Sequence, residues 1–275
     1  MQELKFSVAM SVYKNDKPEW FKRAIDSILD QTLVPNEIVL IVDGEVGEEL
    51  AEIISQCKKN EVFKVIEFEE NRGHGEARRA GVENSSYNLI AIMDADDVSL
   101  PQRFEKQIQV FKNDPSVAVV GGNISEFEGK EENVIAYRNV PQTDEQIKNY
   151  LKKRCPFNQV SVMMRKDIVQ SVGGYLDWYC NEDYYLWVRL ANNNSKFANI
   201  DEVLVNVRVG KEMYGRRGGW KYFKSERRLQ KLMLKSGIIG FFTYITNVTK
   251  RLILQVLMPT KIRGWVFKRF ARTQK

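Results

Sequence analysis

Leu89-Ile90-Ala91-Ile92-Met93-Asp94-Ala95-Asp96-Asp97 is the stretch whose reading decides the fold. A short unbroken apolar run reads as a strand buried on both faces, as in a parallel sheet covered by helices. Three carboxylates follow at its carboxyl end, where open α/β sheets bind their ligands. Hard divalent cations such as Mn²⁺ or Mg²⁺ prefer oxygen ligands and share them with substrate phosphates, so the pattern predicts a metal–diphosphate site. A competing reading makes Asp97, Ser99 and Pro101 the cap of a helix beginning near Leu100. Capping accounts for only one of the three acidic residues.

Upstream of this stretch, strands are expected at residues 6–12, 37–42, 62–68 and 88–93, alternating with helices at 19–31, 48–59 and 75–84. That alternation predicts a parallel, doubly wound sheet. Beyond Arg103 the expected strands at 117–122, 134–138, 160–164 and 203–209, with helices near 145–152 and 184–191, describe a mixed sheet with longer loops. The fold class is therefore α/β, Rossmann-like and mostly parallel, with a mixed half and a helical carboxyl-terminal extension. The division expected is a catalytic unit over 1–207, with halves at about 1–103 and 104–207, and an extension over 208–275.

At 275 residues the chain can bury a large core without staples. Its three cysteines, Cys57, Cys155 and Cys180, are widely spaced and read as reduced thiols of a cytoplasmic protein. Residues 1–5 lead straight into a strand without a signal-peptide pattern. The net charge of +6 conceals an asymmetry. Residues 1–207 hold 24 Lys and Arg against 34 Asp and Glu, while residues 208–275 hold 18 Lys and Arg against only Glu212 and Glu226. A long basic helix over 220–234 precedes apolar residues 237–258, interrupted by Lys250 and Arg251. The longest charge-free piece, 236–249, is shorter than the roughly 20 residues a spanning helix needs. Basic and apolar residues together predict peripheral association with the inner face of the cell membrane rather than a nucleic-acid arm. A helix that simply packs on the catalytic unit is the plainer expectation.

A second acidic pair, Glu182-Asp183, stands where a helix starts. One carboxylate to hold a cation and another to take a proton suffice to move a group from a phosphate leaving group to a hydroxyl. Complementing the helix dipole is the structural alternative. The only histidine, His74, lies in Gly73-His74-Gly75, which lacks the third glycine of a dinucleotide fingerprint.

Taken in order, Ser7 to Tyr13, Ser27 to Thr32, Glu37 to Gly44, Asn71 to Gly81, Asp94 to Asp97, and Gly173-Gly174-Tyr175 leading to Glu182-Asp183 resemble a family 2 glycosyltransferase. The type is the one that builds bacterial surface polysaccharides. The resemblance spans about residues 5–210 and implies the GT-A fold. It implies that Tyr13 lies against a nucleotide base, that Asp43 accepts from a base N–H such as uracil offers, and that Arg78 helps hold the nucleotide or diphosphate. Asp94 would lie near the ribose or sugar and contribute with Asp96 to the Mn²⁺ or Mg²⁺ site. Asp183 would be the general base, with Glu182 sharing or replacing that role. Arg216 and Arg217, between glycines, would grip phosphate from a closing loop. Many members have a histidine metal ligand in that region and this chain has none. The implied activity is metal-dependent, inverting transfer of one sugar from a nucleotide sugar, with UDP the expected nucleotide, to a glycan or lipid-linked acceptor. A nucleotidyltransferase, or a silent nucleotide-sugar-binding or membrane scaffold, is the alternative.

Overall fold

In the computed structural model, which describes residues 4–210, 218–259 and 262, the first half alternates as its hydrophobic pattern dictates. Strand β1 (Phe6–Val12), helix α1 (Pro18–Leu29), β2 (Glu37–Val42), α2 (Glu48–Lys58), β3 (Phe63–Glu67), α3 (His74–Asn84) and β4 (Leu89–Met93) follow in turn. The four strands are parallel, in the order β3-β2-β1-β4. Because the chain moves outward from β1 to β3 and returns to add β4 on the other side, the carboxyl ends of β1 and β4 form the topological switch point. All five β4 residues are buried, as the apolar run requires. The close fit of α3 on β1 depends on Gly81, where an added Cβ would stand 3.1 Å from the Ala9 methyl.

The second half comprises β5 (Val98–Ser99), α4 (Arg103–Asn113), β6 (Val117–Phe127), β7 (Val134–Arg138), α5 (Asp144–Leu151), β8 (Met163–Arg165), α6 (Lys166–Ser171), α7 (Glu182–Asn192) and β9 (Lys196–Arg208). It continues the sheet as β4-β8-β6-β9-β5, with β7 on β6. Strand β8 is antiparallel to β4 and β6, whereas β6 and β9 are parallel, giving the mixed half. One core layer packs α1, α2 and α4 against the sheet around Phe21, Ile28 and Phe104. The other gathers α5, α7 and the carboxyl-terminal helices around Phe157, Trp187 and Leu190.

Three local expectations change. The helix expected near Leu100 starts at Arg103, because Val98 and Ser99 are taken by pairing with Asn206 and Val205 of β9. Asp97 therefore does not cap it; its carboxylate accepts from the Arg208 N–H at 2.8 Å. The strand expected at 160–164 is a 3₁₀ turn, Gln159–Ser161, followed by the short β8. Strand β9 begins at Lys196 rather than 203, its early residues disguised by the polar Asn199, Asp201 and Glu202.

Helices α8 (Trp220–Lys235) and α9 (Phe241–Leu252), and a π-helical turn over Ile253–Leu257, form the described part of the extension. Helix α8 packs, burying Leu229 and Met233 in the second core layer. Helix α9 is inverted: Asn247 and the following Gln255 are buried, while Phe241 is 61% and Phe242 85% exposed, joined by Ile245, Ile253 and Leu257. Its inward face is held by polar bonds, from Asn247 Nδ2 to the Lys152 carbonyl and to Gln230 Oε1, both 2.8 Å, and by the Arg251–Glu226 ion pair. No helix among the described residues is long and apolar enough to cross a membrane.

Candidate functional site

The carboxylates after β4 open onto a cleft of about 1010 Å³ whose walls include Tyr13, Asp43, His74, Asp94, Asp96 and Glu182. Asp43, buried at the end of β2, staples the opposite wall. Its Oδ1 accepts from the Arg72 N–H at 2.7 Å, and its Oδ2 from the Gly73 N–H and Asn71 Nδ2, both at 3.0 Å. Three bonds leave carboxylate lone-pair capacity for one more donor. Gly44 follows at φ +84°, with an added Cβ only 2.6 Å from the Asn71 nitrogen, so the turn admits no side chain. Tyr13 is partly exposed at the rim, and its N–H donates to Asp16 Oδ2 at 2.9 Å.

Negative charge accumulates on the floor. Burial, then Asp96 and Asp94, push the Asp97 carboxyl well above the usual range. Burial, with smaller contributions from the same two carboxylates, brings Asp16 to about 6. Carboxylates that raise one another in this way fit a cation, which would relieve the repulsion. Among the described residues no group of three His, Cys, Asp or Glu side chains converges as a metal cluster. Asp94 and Asp96 are the cleft carboxylates whose oxygens could serve a hard divalent cation.

Arg78 does not line this cleft. It is buried behind it, donating from Nη1 to Glu182 Oε1 at 3.1 Å and from Nη2 to Asp94 Oδ1 at 3.2 Å. One guanidinium thus ties the acid after β4 to the acid at the start of α7. Burial raises the Asp94 carboxyl, but the Arg78 guanidinium outweighs it and holds the group below its usual range. Arg78 also contacts His74 Nε2 and, with burial, drives the imidazole down to about 4, so this histidine is neutral. Arg79, beside it, does line the cleft and pairs with Glu83 at 2.8 Å.

The two acids that open α7 face different spaces. Glu182 lines the acidic cleft, whereas Asp183 lines a second cavity of about 700 Å³ bounded by the exit of α5 and by α9. Asp183 Oδ1 accepts from the Tyr184 N–H at 2.6 Å, and Oδ2 receives the Cys155 Sγ at 3.8 Å. Burial and Asp183 together push the Cys155 thiol up to about 12, so it stays protonated as a donor to that carboxylate. Burial, then Asp183, likewise raises Glu182. Cys180 lines both spaces and sits at φ 54°, a left-handed conformation rare outside glycine. The loop bearing it is bonded to the extension, through Ser225 Oγ to the Tyr179 carbonyl at 2.6 Å and Asn181 Nδ2 to Ser225 Oγ at 3.1 Å.

With this geometry in place, comparison with known proteins decides the family. The Glycosyl transferase family 2 profile matches residues 7–173. The chain belongs to glycosyltransferase family 2. This glycosyltransferase is 36% identical over 266 residues to the amylovoran biosynthesis glycosyltransferase AmsE of Erwinia amylovora, covering 96% of the chain and 98% of the relative. It is 33% identical over 268 residues to the UDP-Gal:alpha-D-GlcNAc-diphosphoundecaprenol beta-1,3-galactosyltransferase of Escherichia coli, covering 98% and 97%. Among solved structures it resembles S. aureus TarS 1–349 in complex with UDP-GlcNAc, with a TM-score of 0.68, 14% identity, and coverage of 91% of this chain and 73% of that one. The fold is GT-A, and family membership makes the chain an enzyme of sugar transfer rather than a nucleotidyltransferase or a silent scaffold.

The structure brings Tyr13, Asp43, Asp94, Asp96 and Glu182 into one cleft, with Arg78 behind it and Asp183 on its far side. Arg216 and Arg217 lie outside the described residues. Sequence reasoning missed three contributors. Asp16 adds charge to the cleft. Arg208 lines it and fixes Asp97, with its Nε donating to the Asp96 carbonyl at 3.2 Å. Arg103, 1% exposed, donates from Nη2 to the Ile92 carbonyl at 2.8 Å and buttresses β4 from beneath. The buried face of α4 carried a readable sign of Arg103, a charged residue within an apolar stripe.

Proposed function

We propose that this glycosyltransferase moves one sugar from a UDP-sugar to a lipid-linked glycan acceptor, with inversion and with Mn²⁺ or Mg²⁺, in the assembly of a bacterial surface polysaccharide. The observation that carries the reading is the opposed placement of Glu182 and Asp183, one facing the acidic cleft and the other facing a separate cavity. The UDP-GlcNAc complex of the TarS fold neighbour supports the donor class. The acceptor printed in the name of the E. coli relative, a sugar on diphosphoundecaprenol, supports a lipid-linked acceptor. AmsE, named for amylovoran biosynthesis, supports the product class.

In this reading the uracil takes the remaining capacity of Asp43 and stacks near Tyr13. Asp94 and Asp96 are the residues that would hold a metal ion, which would supply positive charge to the departing diphosphate. An acceptor hydroxyl enters from the side of Asp183 and attacks the anomeric carbon as the bond to the diphosphate oxygen breaks. The electron pair leaves with UDP and the hydroxyl proton passes to Asp183, so the configuration inverts. Cys155 holds the Asp183 carboxylate in place, and Arg78 fixes Glu182 and Asp94 relative to each other so that the reacting atoms are aligned. Arg216 and Arg217 are assigned to the diphosphate by chemistry alone, as guanidinium groups between glycines. The catalytic unit runs to Arg208, the last residue of β9 and a wall of the cleft, one residue past the expected boundary, and the extension after it has outward apolar residues that seat the enzyme on the cytoplasmic leaflet.

Donor binding tests the reading directly. With Mn²⁺, UDP raises the melting temperature of the wild-type enzyme, since a ligand of the native state must stabilise it. Chelation removes most of that gain, and Asp96→Ala removes it even with Mn²⁺ present. A UDP shift that ignores both chelator and Asp96→Ala overturns the metal assignment, and a larger shift with another nucleoside diphosphate overturns the uracil assignment.

A further inference from the structure

The cavity beyond Asp183 has a charge pattern opposite to that of the donor cleft. Among the described residues five cationic side chains line it, Arg138, Lys153, Arg154, Lys250 and Arg251, against two carboxylates, Asp183 and Glu226. Glu226 is neutralised by its ion pair with Arg251. Arg251 also donates to the Lys153 carbonyl at 2.9 Å, and Arg138 to the Cys155 carbonyl at 2.8 Å, so these two guanidinium groups build the walls. Arg138 keeps its positive charge there, and Lys153 and Lys250, on the exit of α5 and on α9, add to it from the exposed side. A concave site of this sign selects an anion.

The same cavity has an apolar side. Phe242 and Leu254 share its lining, and Phe242 continues outward into the exposed face of Phe241, Ile245, Ile253 and Leu257. A soluble anion needs no such continuation. We infer that this cavity seats the diphosphate of a lipid-linked acceptor, with Lys153 and Lys250 on the phosphates and the hydrocarbon chain leaving along the apolar face of α9.

The inference rests on the lipid-linked acceptor reading given above and adds where that acceptor is gripped. Its volume of about 700 Å³ lies in the range of small-molecule sites, roughly 300–1,000 Å³. The inverted helix gains a reason as well: α9 turns Asn247 and Arg251 inward because that face builds a polar pocket, and turns phenylalanines outward because that face meets lipid.

Farnesyl diphosphate, a short soluble isoprenoid diphosphate, is the probe. It is titrated onto the full-length protein in EDTA, where metal-bridged binding in the donor cleft is switched off, and again with saturating UDP and Mn²⁺. Wild type and the remote surface control Lys59→Glu are expected to bind it equally under both conditions. Lys250→Glu weakens binding about fivefold or more and Lys153→Glu/Lys250→Glu at least tenfold, while inorganic diphosphate and farnesol each bind at least tenfold more weakly than the probe. Wild-type affinity in the double variant overturns the site, as does displacement of the probe by UDP. Inorganic diphosphate binding as tightly as the probe makes the cavity a site for a free anion and overturns the lipid assignment. The EDTA titration reads the cavity whether or not UDP binds, so a failed donor reading, seen as no UDP shift with Mn²⁺, is told apart from a failed cavity.

Discussion

The two spaces that meet at the start of α7 are built by opposite means. The acidic cleft is made by strand ends of the parallel half, where chain direction alone brings Tyr13, Asp43 and Asp94 to one edge, and it is crowded with carboxylates. The cavity beyond Asp183 is made late in the chain, by the exit of α5 and a helix whose polar face is turned inward, and it is rich in Lys and Arg. The acidic space suits a metal-bridged diphosphate and the basic one an anion that arrives without metal. Two adjacent residues, Glu182 and Asp183, are enough to divide them, because successive residues at a helix start point in different directions.

The largest effect that sharpens the comparison is expected at the link between the two acids of the acidic cleft, Asp94 and Glu182. Arg78→Met leaves Asp94 and Glu182 without their shared cation, and removing one partner of a buried pair costs about 3–5 kcal/mol. A urea unfolding midpoint close to wild type would show that the guanidinium is not what ties β4 to α7.

On the other side, Phe241→Ser/Phe242→Ser removes two exposed rings. Folding stability is expected to stay within about 0.5 kcal/mol, as for surface changes generally. Co-sedimentation with vesicles containing anionic lipid falls at least tenfold, from a loss of roughly 1.5–3 kcal/mol per ring that the bilayer buries. Loss of stability without loss of vesicle binding would make α9 an ordinary packing helix.

The smallest effect is a pH signature of the acidic cleft. With the Asp16 carboxyl raised to about 6, the native state holds its proton more tightly than the unfolded chain. This group therefore costs nothing below about pH 4 and destabilises increasingly as pH rises through 6. Asp16→Asn, measured without metal, is expected to gain on the order of 1 kcal/mol at pH 7.5, after allowance for its partial exposure, and nothing at pH 4. A gain independent of pH would remove Asp16 from the charge cluster.

The sequence made the parallel half readable because periodicity and position carry the same message there: five apolar residues and then acids, between helical patterns, read as a strand with its ligand edge. The second half was less legible where tertiary pairing overrides local pattern. Val98 and Ser99 look like a helix approach and become a strand only because β9 lies beside them. The early residues of β9, with Asn199, Asp201 and Glu202, carry no alternation to read. The basic cavity was invisible because its walls come from residues about a hundred positions apart, Lys153 and Arg251, joined through a carbonyl. The apolar residues of α9 pointed to a membrane, but the burial of Asn247 and Gln255 beneath them runs against the usual placement of amides. The separation of Asp183 from Glu182 was likewise beyond reach, since spacing of one residue says nothing of which space each acid faces.

The most direct test of the account compares Asp183→Asn with wild type in two readings on the same preparation, Mn²⁺-dependent UDP affinity and sugar transfer from the donor to its acceptor. The account predicts transfer reduced about 10²–10⁴-fold, the usual worth of a general base, with UDP affinity unchanged within twofold. Transfer that persists near the wild-type rate, or UDP affinity that falls in step with transfer, would contradict the placement of the base on the far side of the donor cleft.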